Sequence, residues 1–282
     1  MEKSCSAFAR GTFRGVSAHE VFTLSSFDWR ITNKPFTLIS LEETIQLTKK
    51  PDMRPDITEV TYDSERWNYL QTYREKAAQI IAALERFHLQ AIVHGSIARG
   101  DVTKTSDIDI FIIDPPSSFQ IETALETAKI RVNARLVVQA TPSYAMKAYI
   151  ELDEATSVSF PLMRMRNVER EFYRFSGEVT LAQLKQNLRV AGVDKRLMLI
   201  EPAENGHVES SIIGREDQTA KTLGVAVETV LDRVHALLKR DAVGRTGTFI
   251  KRELSPDETF EMALKHLSDE NPAVRRRQKS DA

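Results

Sequence analysis

The chain has 282 residues, 41% of them hydrophobic, with 39 basic and 40 acidic side chains and one cysteine. That length and apolar share can fill two or three cored domains and exclude a natively unfolded chain, while the cancelled charge excludes a global field that would draw it to nucleic acid or a membrane. The lone Cys5 excludes an internal disulfide and a multi-cysteine zinc site. No stretch is apolar enough to span a bilayer, and Lys3, Arg10 and Arg14 precede no signal-type apolar run, so a cytoplasmic, reducing location is expected.

Residues 1–63 mix short apolar runs such as "VFTL" and "FTLISL" with turn-formers and end in "KKPDMRPDI", where Pro51 and Pro55 oppose a helix. An irregular, strand-containing accessory segment is expected there. From Ser64 to His88, Trp67, Leu70, Tyr73, Ala77, Ile80, Ile81, Leu84 and Phe87 recur at helical spacing and predict one amphipathic helix. "LQAIVH" and "IDIFII" read as buried strands, the second stopped by Pro115 and Pro116. A helix over roughly 118–130, a strand at "ARLVVQA" and a mixed segment containing "SVSFPL" continue an α/β alternation. Thr180 is placed to cap a helix, "RLMLIE" reads as a strand, and Pro202 to Gly206 reads as a linker. The expected division is therefore 1–63, 64–205 and 206–282, with a fraying polar tail at "AVRRRQKSDA".

The informative stretch is "HGSIARGDVTKTSDIDIFII". Asp is disfavoured inside strands, and residues two apart on a strand share a face, so Asp107 and Asp109 set like charges side by side. A divalent cation relieves that repulsion, and hard Mg²⁺ takes carboxylate oxygens while keeping part of its shell for water and phosphate. Upstream, a strand ending in Gly95-Ser96 before a short helix aims backbone N–H groups at an anion. Metal beside phosphate suits phosphoryl or nucleotidyl transfer. His94 reads as a buried strand residue.

Gly95-Ser96, Ala98-Arg99-Gly100 and Ser106-Asp107-Ile108-Asp109 together resemble the signature of the nucleotidyltransferase superfamily that includes DNA polymerase beta, in its minimal form GSxARG…SDxD. The resemblance implies a nucleotidyltransferase-type mixed α+β sheet flanked by helices. It implies that Gly95, Ser96, Arg99 and Ser106 contact the nucleotide phosphates. By the same resemblance Asp107 and Asp109 hold two Mg²⁺ ions, with Mn²⁺ as a substitute, against an NTP, most simply ATP. Residues 64–253 further resemble predicted archaeal nucleotidyltransferases that carry a C-terminal helix-turn-helix. The superfamily takes a third carboxylate from a neighbouring strand, and here the next strand in sequence, "ARLVVQA", offers Gln139. Glu151, Asp153 and Glu154 are the acids that folding can bring in.

In "REDQTAKTLGVAVETVLDRVHALLKRD", Ala220, Gly224 and Val230 have the spacing of a helix-turn-helix, and "AVGRTGTFIKREL" reads as a two-strand wing around Gly244 to Gly247. A small winged helix-turn-helix domain is thus expected. Lys239, Arg240, Arg245, Lys251 and Arg252 face only Asp241 across residues 239–252, an excess that suits DNA or RNA phosphates, although Glu228 and Asp232 on the second helix oppose them. Two functions follow. One is a metal-dependent nucleotidyltransferase acting on a hydroxyl acceptor; the other is a nucleotide-sensing DNA-binding regulator whose first domain has lost turnover.

Overall fold

The computed structural model describes residues 57–114, 117–244 and 247–279, so most of the expected N-terminal segment, Pro115, Pro116 and Arg245 lie outside the described residues. The described chain begins with β1 (Thr58–Thr61), after which Asp63 accepts a hydrogen bond from the Arg66 amide at 2.8 Å and starts α1 (Ser64–Glu85). This is an N-cap, which satisfies one of the amides that a helix start leaves free. Next come β2 (Ala91–His94), the single turn α2 (Ser96–Arg99), β3 (Ile108–Ile112) and α3 (Ser118–Thr127). They are followed by β4 (Ala134–Gln139), β5 (Lys147–Asp153), β6 (Thr156–Pro161), α4 (Asn167–Phe175), β7 (Glu178–Thr180) and α5 (Leu181–Lys185), the last capped by Thr180. Then the chain forms β8 (Gly192–Val193), β9 (Met198–Ala203), β10 (Gly206–Ser211), α6 (Glu216–Leu223), α7 (Val227–Val243), β11 (Ile250–Glu253), α8 (Phe260–Glu270) and α9 (Pro272–Lys279).

The strands make two sheets. Seven run in the order β11-β4-β5-β6-β3-β2-β7, mixed because β3 and β6 are parallel, and four run in the order β1-β10-β9-β8. One face of the larger sheet is apolar: Val93, Ile108, Ile110, Ile112, Ile150 and Val158 pack with Ile80, Ile81 and Leu84 of α1 and Ile121 and Leu125 of α3. Each such side chain contributes on the order of 1.5–3 kcal/mol when withdrawn from water. Because side chains alternate along a strand, the intervening residues point to the opposite face, where polar residues collect around a small cluster of Ile92, Phe111 and Tyr173. A second core joins Phe175 at the end of α4 to Val193 and Leu199 of the smaller sheet and to Leu223, Val230 and Val234 of α6 and α7.

Several expectations change. Pro202 to Gly206 is no linker but the tight end of the β9–β10 hairpin, with Pro202 paired to His207 and Ala203 to Gly206. Residues 250–253 do not fold back as a wing; they pair antiparallel with β4, Ile250 opposite Gln139 and Glu253 opposite Leu136. The physical reason is that β4 would otherwise expose a row of unpaired backbone groups at the sheet edge. The tail is helical as far as Lys279, and it buries Val274 and Arg277. Helices α6 and α7 are joined through Gly224, whose φ of 63° is the left-handed conformation that glycine adopts without strain. The start of α7 is docked on α4: Glu171 accepts from the Ala226 amide at 2.9 Å and from Thr229 Oγ1 at 2.6 Å, and Tyr144 donates to Asp232 at 2.5 Å.

β1 meets β10 at Gly206, where an added Cβ would overlap the Val60 carbonyl oxygen. Gly206→Val should therefore force the β1–β10 pair apart and destabilise the protein by about 1–3 kcal/mol, seen as a lower urea midpoint with far-UV circular dichroism retained.

Candidate active site

The polar face of the large sheet carries one continuous row of functional side chains. Glu178 on β7 is paired with His94 on β2; the β2–β3 register, continued one step, sets His94 opposite Asp109; Asp109 is paired with Ser157 on β6, and Ser157 with Glu151 on β5. Paired residues share a face, so Glu178, His94, Asp109, Ser157 and Glu151 line up across five strands. Asp107, expected inside the strand, immediately precedes β3, and it is close enough to Asp109 to feel its charge.

Neither aspartate meets a cation in an ion pair among the described residues. Asp109 accepts a hydrogen bond from Ser157 Oγ at 3.1 Å. Burial raises its pKa above the ordinary 3.8, against the pull of that hydrogen bond and of the Lys195 charge. Asp107 is raised by partial burial and then by the charge of Asp109, again opposed by Lys195. A carboxylate pair held in this way is short of positive charge. It fits a hard divalent cation that would take one or two protein carboxylates and complete its shell with water and phosphate. Among the described residues no group of three His, Cys, Asp or Glu side chains stands close enough to hold a metal by itself.

Beside this pair lies the turn. Gly95 has φ 77°, its amide donates to the Gly177 carbonyl at 2.9 Å, and its own carbonyl accepts from the Ala98 and Arg99 amides. The chain therefore leaves β2 and enters α2 across Gly95 alone, and the first amides of α2 have no acceptor within that helix. Ser106 closes the turn before β3, its Oγ accepting from the Thr103 amide at 2.9 Å.

Arg99 is placed differently from the phosphate contact expected of it. Its guanidinium is buried and donates to the Ser176 carbonyl at 2.6 Å, the Val193 carbonyl at 3.4 Å and Asp101 at 3.0 Å. It braces the turn from behind. Gln139 is also spent on structure: fully buried at the far end of β4, it donates to the Tyr144 carbonyl at 2.9 Å. The strand beside the dyad is β6 and not β4, and the position there that faces Asp109 holds Ser157. Of the other acids considered, Asp153 is paired with Lys76 at 2.7 Å, and Glu154 lies in the β5–β6 turn. Glu151 alone shares the dyad's row, its Cα about two strand spacings, or 10 Å, from that of Asp109.

Residues without a sequence signal complete the site. His94 sits edge-on to Tyr173, with ring centroids 4.9 Å apart, and its Nδ1 is 3.3 Å from Ser176 Oγ. Burial first, and then the charges of Lys147 and Arg99, lower its pKa to about 3, so it is neutral at physiological pH. Lys147 donates to the Tyr173 hydroxyl at 2.8 Å, and burial lowers its pKa to about 8. Tyr149, on the same face, is raised to about 12 by burial and by the charge of Asp109.

The basic residues expected to meet nucleic acid are dispersed. Lys239 and Arg240 are in the last turns of α7, Lys251 is exposed on β11, and Arg252 points to the other face and binds Glu258 through two hydrogen bonds of 3.0 and 2.7 Å. No helix among the described residues is long and apolar enough to cross a membrane.

Residues 74–171 match the family model for the nucleotidyltransferase domain. No curated protein matches the chain. Among solved structures the chain is similar to a CCA-adding enzyme in complex with ATP, at 15% identity over 78% of this chain and 51% of that one, with a TM-score of 0.28. It is also similar to an apo form of CCA-adding enzyme, at 14% identity over 78% of this chain and 49% of that one, again with a TM-score of 0.28. The chain thus spans about half the length of those enzymes. The turn, the dyad and His94, Glu151 and Ser157 of the row fall inside the residues 74–171 that match the nucleotidyltransferase domain, and Glu178 falls outside them.

Proposed function

We propose that this chain is a metal-dependent nucleotidyltransferase that moves a nucleoside monophosphate from an NTP, most simply ATP, to a hydroxyl acceptor. One observation carries the proposal: Asp107 and Asp109 stand at the start of β3 beside the Gly95–Ser96 turn, raised by burial and joined to no cation in an ion pair among the described residues. Asp107 and Asp109 would hold Mg²⁺, which supplies charge neutralisation at the phosphates when bound. The amides after Gly95 receive the phosphate oxygens, and Ser157 fixes Asp109. The acceptor oxygen forms its bond to the α-phosphorus as the bond to the β-phosphate oxygen breaks, and pyrophosphate leaves. The acceptor's proton goes to Glu151, which shares the dyad's row, whereas Glu178 at the other end of that row is bound by Arg170. In this proposal the Gly95–Ser96 turn and the dyad carry the chemistry, and exposed Lys239 on α7 and Lys251 on β11 would meet a nucleic-acid acceptor.

A second function has its own support: Ser157 stands on the strand where the superfamily resemblance implies an acid, which favours a nucleotide sensor without turnover. Following α-labelled ATP into candidate acceptors separates the two. The enzyme transfers label in Mg²⁺, and Glu151→Gln should cut transfer by about 10²-fold or more while leaving NTP affinity intact. The sensor binds NTP and transfers nothing.

The dyad also makes a stability prediction whose sign follows from linkage. Both aspartates have folded pKa values above 3.8, so the native state binds their protons more tightly than the unfolded chain does. They cost stability above their folded pKa values, and the cost fades as pH falls through those values toward 3.8. The Asp107→Asn, Asp109→Asn double variant should therefore melt at or slightly above the parent near neutral pH without metal, with the gap closing in acid. Mg²⁺ with ATP should raise the melting temperature of the parent alone. A variant that melts several degrees lower without ligand would show the pair to be structural.

A further inference from the structure

Three places outside the dyad merit scrutiny. A cleft of about 440 Å³ lies between β7, α4 and α6, but Arg174, Glu178 and Gln183 in its wall are each engaged within the protein. A second hollow of about 370 Å³, beside Arg166 and Arg276, is at the far end of β6 from the dyad. The third place is the β8–β9 turn, residues 194–197, which belongs to the smaller sheet and ends against the nucleotide turn.

That turn is built to hold one side chain outward. Asp194 Oδ1 accepts from the Arg196 amide at 2.8 Å and the Met198 amide at 3.1 Å, and its Oδ2 accepts from Arg196 Nε at 2.6 Å. Arg196 is bound on its other side by Glu209. Leu197 is fully buried with φ 63°, a left-handed conformation that a branched residue keeps only when its surroundings enforce it. Within this frame Asp194 and Arg196 neutralise each other, and Lys195 between them is exposed.

The turn is also fixed against the phosphate end of the site. The Val190 amide donates to the Ala98 carbonyl at 3.2 Å, and Arg99 in α2 donates to the Val193 carbonyl. A Cβ on Gly192 would stand 2.5 Å from the Gly177 amide nitrogen, and Gly177 is the residue that receives the Gly95 amide. So β8 lies directly on the Gly95–Arg99 turn, and Lys195 follows it by two residues. Its charge is felt by Asp107, Asp109 and His94, in keeping with the contact of β8 and the turn.

We propose that Lys195 binds the triphosphate of the incoming nucleotide from the β8–β9 turn. This rests on the nucleotidyltransferase function proposed above. The smaller sheet thereby supplies part of the nucleotide site, and an ammonium on a braced turn meets the phosphate charge that two carboxylates and a metal leave uncovered.

The test compares the full chain with Lys195→Ala, Lys195→Met and Lys195→Arg, measuring binding of Mg-ATP, inorganic tripolyphosphate with Mg²⁺, and adenosine. Lys195→Ala and Lys195→Met should weaken ATP and tripolyphosphate binding roughly tenfold or more, the loss of a charge-assisted contact, and flatten their salt dependence. Adenosine binding should stay unchanged, and Lys195→Arg should restore most of the loss. Melting temperatures without ligand should match the parent, because Lys195 is exposed; a drop shared by the Ala and Met variants would mark a structural role and overturn the proposal. Parent-like ATP affinity in both variants overturns it too, while leaving the enzyme in place. A parent that binds no NTP in Mg²⁺ removes both.

Discussion

The buried guanidinium of Arg99 is the junction on which the site depends. It reaches the Ser176 carbonyl after α4, the Val193 carbonyl in the second sheet and Asp101 after its own helix, so one side chain fixes three segments around the Gly95–Ser96 turn. A buried cation is costly unless its partners are well placed, and removing one member of such a set is strongly destabilising, commonly by about 3–5 kcal/mol. Arg99 thus supports the Gly95–Ser96 turn from beneath. Its guanidinium makes the geometry in which backbone amides and neighbouring charges can act.

From that junction the asymmetry of the large sheet follows. One face is closed by α1 and α3 and contains almost nothing but aliphatic side chains. The other is only partly covered by α4, whose Tyr173 stacks on Phe111 with ring centroids 3.8 Å apart and stands perpendicular to the His94 ring. Where α4 stops, the polar row is left open to solvent at Asp107 and half-open at Asp109 and Glu151. A rigid apolar underside and a half-covered polar top keep the carboxylates and the amides after Gly95 in fixed relation, as the proposed transfer requires.

What the sequence revealed was local. The periodicity of α1 and the pair of acids inside an apolar strand are short-range patterns, and the structure shows α1 over Ser64–Glu85 and Asp109 within β3. Gln139 looked like the gap in the site because β4 is the next long strand along the chain, but the chain makes β4 and β5 before β6 inserts beside β3. Strand order in space is a non-local property, and "SVSFPL" carries no mark of where it will pair. For the same reason "FIKREL" read as half of a hairpin, when its partner was an open edge formed over a hundred residues earlier. Lys195 had no signature, since its meaning comes from β8 lying against α2.

The placement of β10 and β11 bears on how this protein is made. β10 completes the small sheet by pairing with β1, and β11 covers the edge of the large one, while Arg277 in α9 reaches the Ser143 and Arg164 carbonyls and the buried carboxylate of Glu169. During synthesis the nucleotidyltransferase residues therefore emerge with an uncovered strand edge and an acid that still lacks its second arginine. Contacts of such long sequence separation close slowly, and open edges pair with other chains in the meantime. Nascent chains halted near residue 240 would be the species that chaperones hold and that aggregates, even though every residue of the dyad and its turn is already present.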